Sequence, residues 1–347
     1  MAETNGTEIK IFGVDSQQHD LVKSAYQEVQ AEISEKAQSN LLRLTLSPER
    51  LAKVREVETA ADEYILSKMR RLGVPENKLP IIPHVQYARK PKGEFRATGG
   101  FHSPISHMVV VFEREFGDFF DTLSVIAHEK SHASVSSEIR LYFPEDKTED
   151  LTSATASGME VIGNRQNRAS AIEEGMVIFD QTDFFNTFIK NKFPDECNKR
   201  LKWAMSGELR RRELRNIDQT LYGTLTPDLI APFVLGTGPT IPFIGISLYT
   251  PMLDTAEQVQ LKEYLFTRKL CEIVGREASI TTERSQIDTE EAIQIGRDIL
   301  DKDRYLRTNE AHRKIVKVLG GKNAKALFQL RAHDPNIDNA MKILAAA

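Results

Sequence analysis

The sequence has only two cysteines, Cys197 and Cys271, and they lie far apart in a chain of 347 residues. This count excludes both a disulfide framework and a zinc site built from cysteine alone. One bridge between the two remains an alternative. Buried free thiols in a reducing compartment are the favoured interpretation.

An excess of charge of one sign is also missing. The chain has 46 Lys and Arg residues against 50 Asp and Glu residues, mixed along its length, for a formal net charge of −4. This balance gives neither the basic footprint of a nucleic-acid-binding protein nor a polybasic membrane patch. We therefore expect no nucleic-acid partner and no membrane partner.

Long hydrophobic runs are scarce. The N-terminus, MAETNGTEIKIFG, lacks the charged start and apolar run of a secretory signal, which predicts a cytoplasmic protein. The most apolar stretch, residues 233–253, contains three prolines and three glycines, and a membrane helix tolerates so many helix breakers poorly. We predict a loop-rich, partly buried connection there.

What is present suits a globular protein, with 40% hydrophobic and 28% charged residues. Apolar periodicity, caps and turn residues predict the following elements: helices at 18–36, from Ser47 to near Gly73, at 118–137 and at 168–180, and short strands within 81–112 and at 158–163. Residues 185–347 are predicted to be mostly helical. One helix is expected from Asp254 to Gly275, and another is expected to begin at Asp288.

This order of elements predicts the α+β class, with a small sheet between helical parts. We divide the chain into an N-terminal helical region (1–80), a metal-binding core (81–190) and a C-terminal helical region (191–347). The sequence leaves open whether the last region belongs to the same domain as the core.

The segment LSVIAHEKSHASV, residues 123–135, contains the pattern H-E-x-x-H. His128 and His132 are four residues apart, so on a helix both imidazoles point to one side and can bind one zinc ion. Glu129 is rotated by about 100° from His128, where it could polarise a water on the metal. By chance the pattern is expected about 0.02 times in such a chain.

Zinc in a catalytic site takes three protein ligands and keeps the fourth position open. The segment ASAIEEGMVIFD, residues 169–180, offers Glu173 and Glu174 on a predicted helix. Adjacent helix positions diverge by about 100°, so only one of them can face the histidines. Both lie near the edges of the predicted packed side, and periodicity does not choose between them.

Together these segments resemble the gluzincin branch of zinc metallopeptidases, which includes the thermolysin-like enzymes. The resemblance spans residues 85–180 and rests on H-E-x-x-H and on I-E-E-G-M, where Glu174 precedes the small residue Gly175 and Glu173 stands in place of asparagine. It implies a zincin-like core that holds Zn²⁺ through His128, His132 and Glu174. Glu129 would be the catalytic base.

The same resemblance implies further roles. Glu173 would bond the other nitrogen of a ligand histidine, and Gly175 would leave room for the motif helix. Tyr249 or Tyr264 could stabilise an oxyanion, although for each a core or rim position is favoured. The strand at Met108–Phe112 would lie beside the cleft, where an extended peptide can add as another strand, or would be an ordinary core strand.

Two histidines flank that strand, His102 and His107. We expect both to be turn or surface residues.

We therefore predict a zinc-dependent metallopeptidase that acts on a peptide or protein substrate. A zinc-stabilised helical interaction protein without turnover is the second hypothesis, and a protein ligand in the fourth metal position would favour it. A metal-free helical protein with a chance motif is the third. The sequence does not identify the substrate, the cleavage preference or the oligomeric state.

Overall fold

The structure is a computed structural model. It describes residues 7–12, 16–40, 44–89, 100–103, 107–113, 119–135, 137–142, 152–163, 167–195, 197, 218–222, 246–280, 287–332, 334 and 336–347. Side chains are described for most of these residues, but not for 246–260.

Helices dominate the described residues. They are α1 (Ser16–Asn40), α2 (Pro48–Arg71), α3 (Phe119–Ser134), α4 (Ser170–Phe184), α5 (Lys190–Lys192), α6 (Gln219–Tyr222), α7 (Ile246–Ile280), α8 (Thr289–Leu306), α9 (Glu310–Phe328) and α10 (Ile337–Ala345). A 3₁₀ turn occupies Glu76–Lys78, and a π-helical turn, Phe185–Ile189, joins α4 to α5. None of the described helices combines the length with the low charge needed to cross a bilayer.

The strands are β1 (Thr7–Phe12), β2 (Val85–Arg89), β3 (Gly100–Ser103), β4 (Met108–Glu113), β5 (Ser137–Tyr142), β6 (Thr152–Ser157), β7 (Glu160–Gly163) and β8 (Asn167–Arg168). They form a five-stranded sheet in the order β1-β5-β6-β7-β8 and a three-stranded sheet in the order β2-β4-β3. The predicted α+β class is confirmed.

The small sheet corrects one expectation about the cleft. Strand β4, which holds the apolar run Met108–Phe112, is paired in parallel with β2 and antiparallel with β3. Both of its edges are therefore occupied, and it cannot accept a peptide. Among the described strands of this sheet, β3 is the edge that lies against α3.

Helix α2 follows its sequence signals closely. The Ser47 hydroxyl accepts a hydrogen bond from the Arg50 N–H, Pro48 is the first helical residue, and Gly73 has φ +81° just beyond the end. Helix α2 buries Val54, Ala61, Ile65 and Met69, whereas Leu51 in its first turn is 38% exposed. Helix α1 is likewise confirmed, yet its Leu21 is 73% exposed.

The C-terminal part corrects three expectations. Helix α7 begins at Ile246 rather than Asp254, so the end of the predicted loop-rich stretch is helical. It continues past Gly275 to Ile280. A Cβ at Gly275 would lie 1.8 Å from the Ala292 carbonyl oxygen of α8, so this glycine permits close helix packing instead of ending the helix. The expected cap at Asp288 is confirmed, because its side chain accepts from the Glu291 N–H.

One hydrophobic cluster joins α4 to the C-terminal helices. It includes Ile172 and Met176 of α4, Phe266 and Leu270 of α7 and Leu300 of α8. Both cysteines are buried and free, as expected. Helix α4 therefore packs against α7 and α8 on one side while it faces α3 on the other.

Gly175 marks the closest approach of α4 to α7. A Cβ there would lie 1.9 Å from Thr267 Oγ1 and 2.9 Å from the Glu263 carbonyl oxygen. The expectation that Gly175 makes room for the motif helix α3 is therefore wrong. The close neighbour is α7, on the opposite side of α4.

Replacing Gly175 with Ala should lower the free energy of unfolding by about 1–3 kcal/mol, because the added methyl overpacks this contact. Gly321→Ala is the matched control, since no atom lies within 4 Å of its Cβ position. That control should be neutral or slightly stabilising. Urea unfolding with EDTA present separates both effects from metal binding, and equal stabilities of the two variants would contradict the packing.

Candidate metal site

The structure brings His128, His132 and Glu174 together. Nε2 of His128 lies 3.3 Å from one carboxylate oxygen of Glu174, and Nε2 of His132 lies 3.3 Å from the other. Each of the three residues offers one possible ligand atom, and these three atoms all lie within 4.8 Å of one another. Each side chain is partly accessible.

Two buried polar contacts hold α3 in place behind these histidines. The two variable residues of the motif are Lys130 and Ser131, and neither is exposed to solvent. Lys130 Nζ donates to both carboxylate oxygens of Asp62 on α2, at 2.7 and 2.8 Å. Ser131 donates to Asp180 on α4 at 2.6 Å. The motif helix is therefore attached to both of its helical neighbours.

The two glutamates of α4 serve different partners. Glu174 faces the histidines, whereas Glu173 is buried and accepts hydrogen bonds from Arg304 of α8 and from the Met159 N–H, both at 2.9 Å. Glu173 is therefore committed to this buried ion pair. The expectation that it bonds the other nitrogen of a ligand histidine is wrong.

Gln181 fills that role instead. Its Oε1 lies 3.1 Å from His128 Nδ1, at the distance of a hydrogen bond in which the ring N–H donates. This contact leaves Nε2 of His128 as the nitrogen directed at Glu174. Gln181 is not among the residues predicted from the sequence, although its position seven residues after Glu174 places it on the same face of α4.

Glu129 lies beside the trio without joining it. It is buried, and the main-chain N–H of His102 on β3 donates to its carboxyl group. Burial raises its pKa to about 8, a shift that the charge of His132 opposes and that of Glu174 assists. Gly100 makes this approach of β3 feasible, because a Cβ there would lie 3.0 Å from Glu129 Cγ.

His132 and His102 differ in their electrostatics. Burial alone would lower the pKa of His132, but its contact with Glu174 and the charge of Glu129 outweigh burial and raise this pKa to about 9. For His102, burial and the neighbouring charge of His132 lower the pKa to about 3. His102 is thus a neutral imidazole next to a charged cluster.

Of the remaining candidates, His107 and Tyr264 agree with their expectations and His102 does not. His107 occupies a turn, as expected, and its Nε2 lies 2.8 Å from the Ile81 carbonyl oxygen. His102 contradicts the expectation, since it lies within β3 and its Nε2 is buried. Tyr264 packs its ring on Phe179 in the helical core, as favoured. The side chain of Tyr249 lies outside the described residues.

Comparison of the chain with protein-family models, with curated proteins and with solved structures found no match. The chemistry of the site is therefore argued from its own geometry.

The donor set suits a zinc ion. Two imidazole nitrogens and a carboxylate oxygen are ligands that Zn²⁺ takes in catalytic sites, where a fourth position stays open. The three donors come from two helices that other contacts already fix, so little reorganisation is required to bring them to one ion. A hydrogen-bonded Nδ1 on His128 adds the outer contact typical of ligand histidines.

Glu174→Gln should abolish tight zinc binding, because an amide is a poor replacement for a carboxylate ligand. Glu173→Gln is its matched control. It should leave zinc affinity nearly unchanged but lower the free energy of unfolding by about 1–3 kcal/mol, since it weakens a buried ion pair. Competition with a chromophoric chelator measures zinc affinity, and urea unfolding in EDTA measures the free energy of unfolding. The reverse ranking of zinc affinities would overturn the assignment.

Gln181→Ala should lower zinc affinity by about 10–100-fold, the usual cost of losing a group that orients a ligand histidine. Gln294→Ala controls for loss of a glutamine amide, because Gln294 is remote from the trio and bonds Asp298 on the surface of α8. Unchanged affinity in the Gln181 variant would show that His128 is oriented by its helix alone.

Proposed function

We propose that this protein is a zinc-dependent hydrolase of peptide bonds. The observation that carries the proposal is the convergence of His128, His132 and Glu174 from two helices, with Glu129 buried beside them. In this proposal the first three side chains hold the metal. When bound, zinc supplies Lewis-acid polarisation of a carbonyl and lowers the pKa of a water.

Glu129 is assigned the proton transfers. Its carboxylate accepts a proton from the attacking water as the water oxygen bonds to the carbonyl carbon. It then delivers that proton to the leaving nitrogen as the carbon–nitrogen bond breaks.

Strand β3 is assigned the substrate backbone. The N–H of His102 donates to Glu129 and therefore points away from β4, so the outer edge of β3 faces the candidate site. A peptide that adds along this edge is brought next to Glu129 and the metal ligands. Main-chain hydrogen bonds of this kind accept many side-chain sequences.

A zinc-stabilised interaction protein without turnover is the second candidate. The buried charge contacts around α3 and α4 support it, because they already provide a rigid helical frame that a structural ion would complete. The discriminating property is the fourth coordination position. A protein ligand in that position would favour this candidate, whereas a water there would favour hydrolysis.

Glu129→Gln should keep zinc but lower kcat by about 10²–10⁴-fold, because an amide cannot accept the proton of water. Glu76→Gln on the exposed 3₁₀ turn is the control and should match the parent. A digest of a peptide library by zinc-loaded protein identifies the substrate for these measurements. A Glu129 variant that cleaves at the parent rate contradicts the assigned base, and a zinc-loaded parent that cleaves nothing favours the second candidate.

A further inference from the structure

His102 presents a buried polar atom that the fold does not satisfy. Its Nε2 has no hydrogen-bond partner among the described residues, although the atom is shielded from solvent. A buried polar group left unpaired costs about 1–3 kcal/mol, so such a group requires an explanation.

The alternation of strand β3 places the ring on the side of α3. Gly100 and His102 are two residues apart and so share one face, and the Cβ position of Gly100 contacts Glu129 and Val125 of α3. Phe101 points the other way and packs on Phe112. The imidazole of His102 therefore lies over the face of α3 that carries the site, close enough to His132 for their charges to interact.

We propose that the imidazole of His102 donates a hydrogen bond to the carbonyl oxygen of the substrate and stabilises the negative charge that develops on that oxygen. This inference rests on the proposed function and names a residue that the sequence analysis left aside. Of the two tyrosines considered for this role, Tyr264 is packed against Phe179 in the helical core, and the side chain of Tyr249 lies outside the described residues.

The chemistry of the ring fits the task. A neutral imidazole carries one N–H donor, and burial lowers the pKa of the His102 ring, which keeps that ring neutral. Loss of one donor that stabilises the charge developing on such an oxygen typically costs about 10²–10³-fold in kcat. The main chain of His102 contacts Glu129, so strand β3 would hold the donor and the base in a fixed relation.

The test compares two small metal ligands on Co²⁺-loaded protein, followed by its visible spectrum. Acetohydroxamate presents an anionic oxygen, whereas 2-mercaptoethanol presents a sulfur that accepts hydrogen bonds weakly. His102→Ala should weaken acetohydroxamate binding by about 10–100-fold, the value of one hydrogen bond to a charged group. Thiol binding and Co²⁺ affinity should stay near the parent values. His102→Gln keeps a donor near the Nε2 position and should recover most of the loss.

His107→Asn, which changes the partly buried histidine of the neighbouring turn, should match the parent. The proposal is overturned if His102→Ala binds acetohydroxamate as the parent does, or if it weakens both ligands equally. If the alanine variant does not fold, His102→Gln and His102→Leu replace it, and equal acetohydroxamate affinities in these two variants overturn the donor role.

Peptide hydrolysis separates this inference from the proposed function. With a cleaved peptide in hand, His102→Ala should lower kcat by about 10²–10³-fold with little change in KM. A parent that hydrolyses peptides while His102→Ala is unaffected contradicts the inference alone. A parent that binds acetohydroxamate through His102 but hydrolyses no peptide contradicts the proposed hydrolysis alone.

Discussion

Asp180 is the point at which four helices of this protein meet. Its carboxylate accepts hydrogen bonds from Lys68 of α2, Ser131 of α3, and Arg297 and Arg304 of α8. The charges of Lys68, Arg297 and Arg304 hold the pKa of Asp180 far below the usual range despite its burial. With Glu173 and Asp301, the cluster contains three acidic and three basic side chains, so the buried charges are balanced.

The candidate site depends on this cluster through the register of α3 and α4. Residues seven apart share a face of a helix, and α4 carries two such pairs side by side: Glu173 with Asp180, and Glu174 with Gln181. The first pair binds the arginines of α8 and the second faces His128 and His132. A rotation of α4 that exchanged the glutamates would remove Glu173 and Asp180 from their cations, leaving buried charges unpaired. The cost of that exchange fixes which glutamate meets the histidines.

Some elements of the fold could be predicted from the sequence, and others could not. The limits of α2 follow from Ser47, Pro48 and Gly73, because caps and breakers act locally. Strand β6, TSATAS, was missed because it lacks the apolar alternation that marks a strand and owes its conformation to pairing with β5 and β7. The pattern around Gly275 predicts a helix end because glycine is common at helix ends. Glycine also permits close helix packing, and only the position of α8 distinguishes these two uses.

The sequence by itself determined that His128 and His132 share one helix face and that Glu129 lies beside them, since 3.6 residues per turn requires this of any helix that holds the motif. Only the tertiary structure decided between Glu173 and Glu174, assigned Gln181 to His128 Nδ1 and brought His102 over α3. The physical reason is distance along the chain. Arg304, which donates a hydrogen bond to Glu173, lies 131 residues further along the chain, and no local sequence pattern predicts that contact.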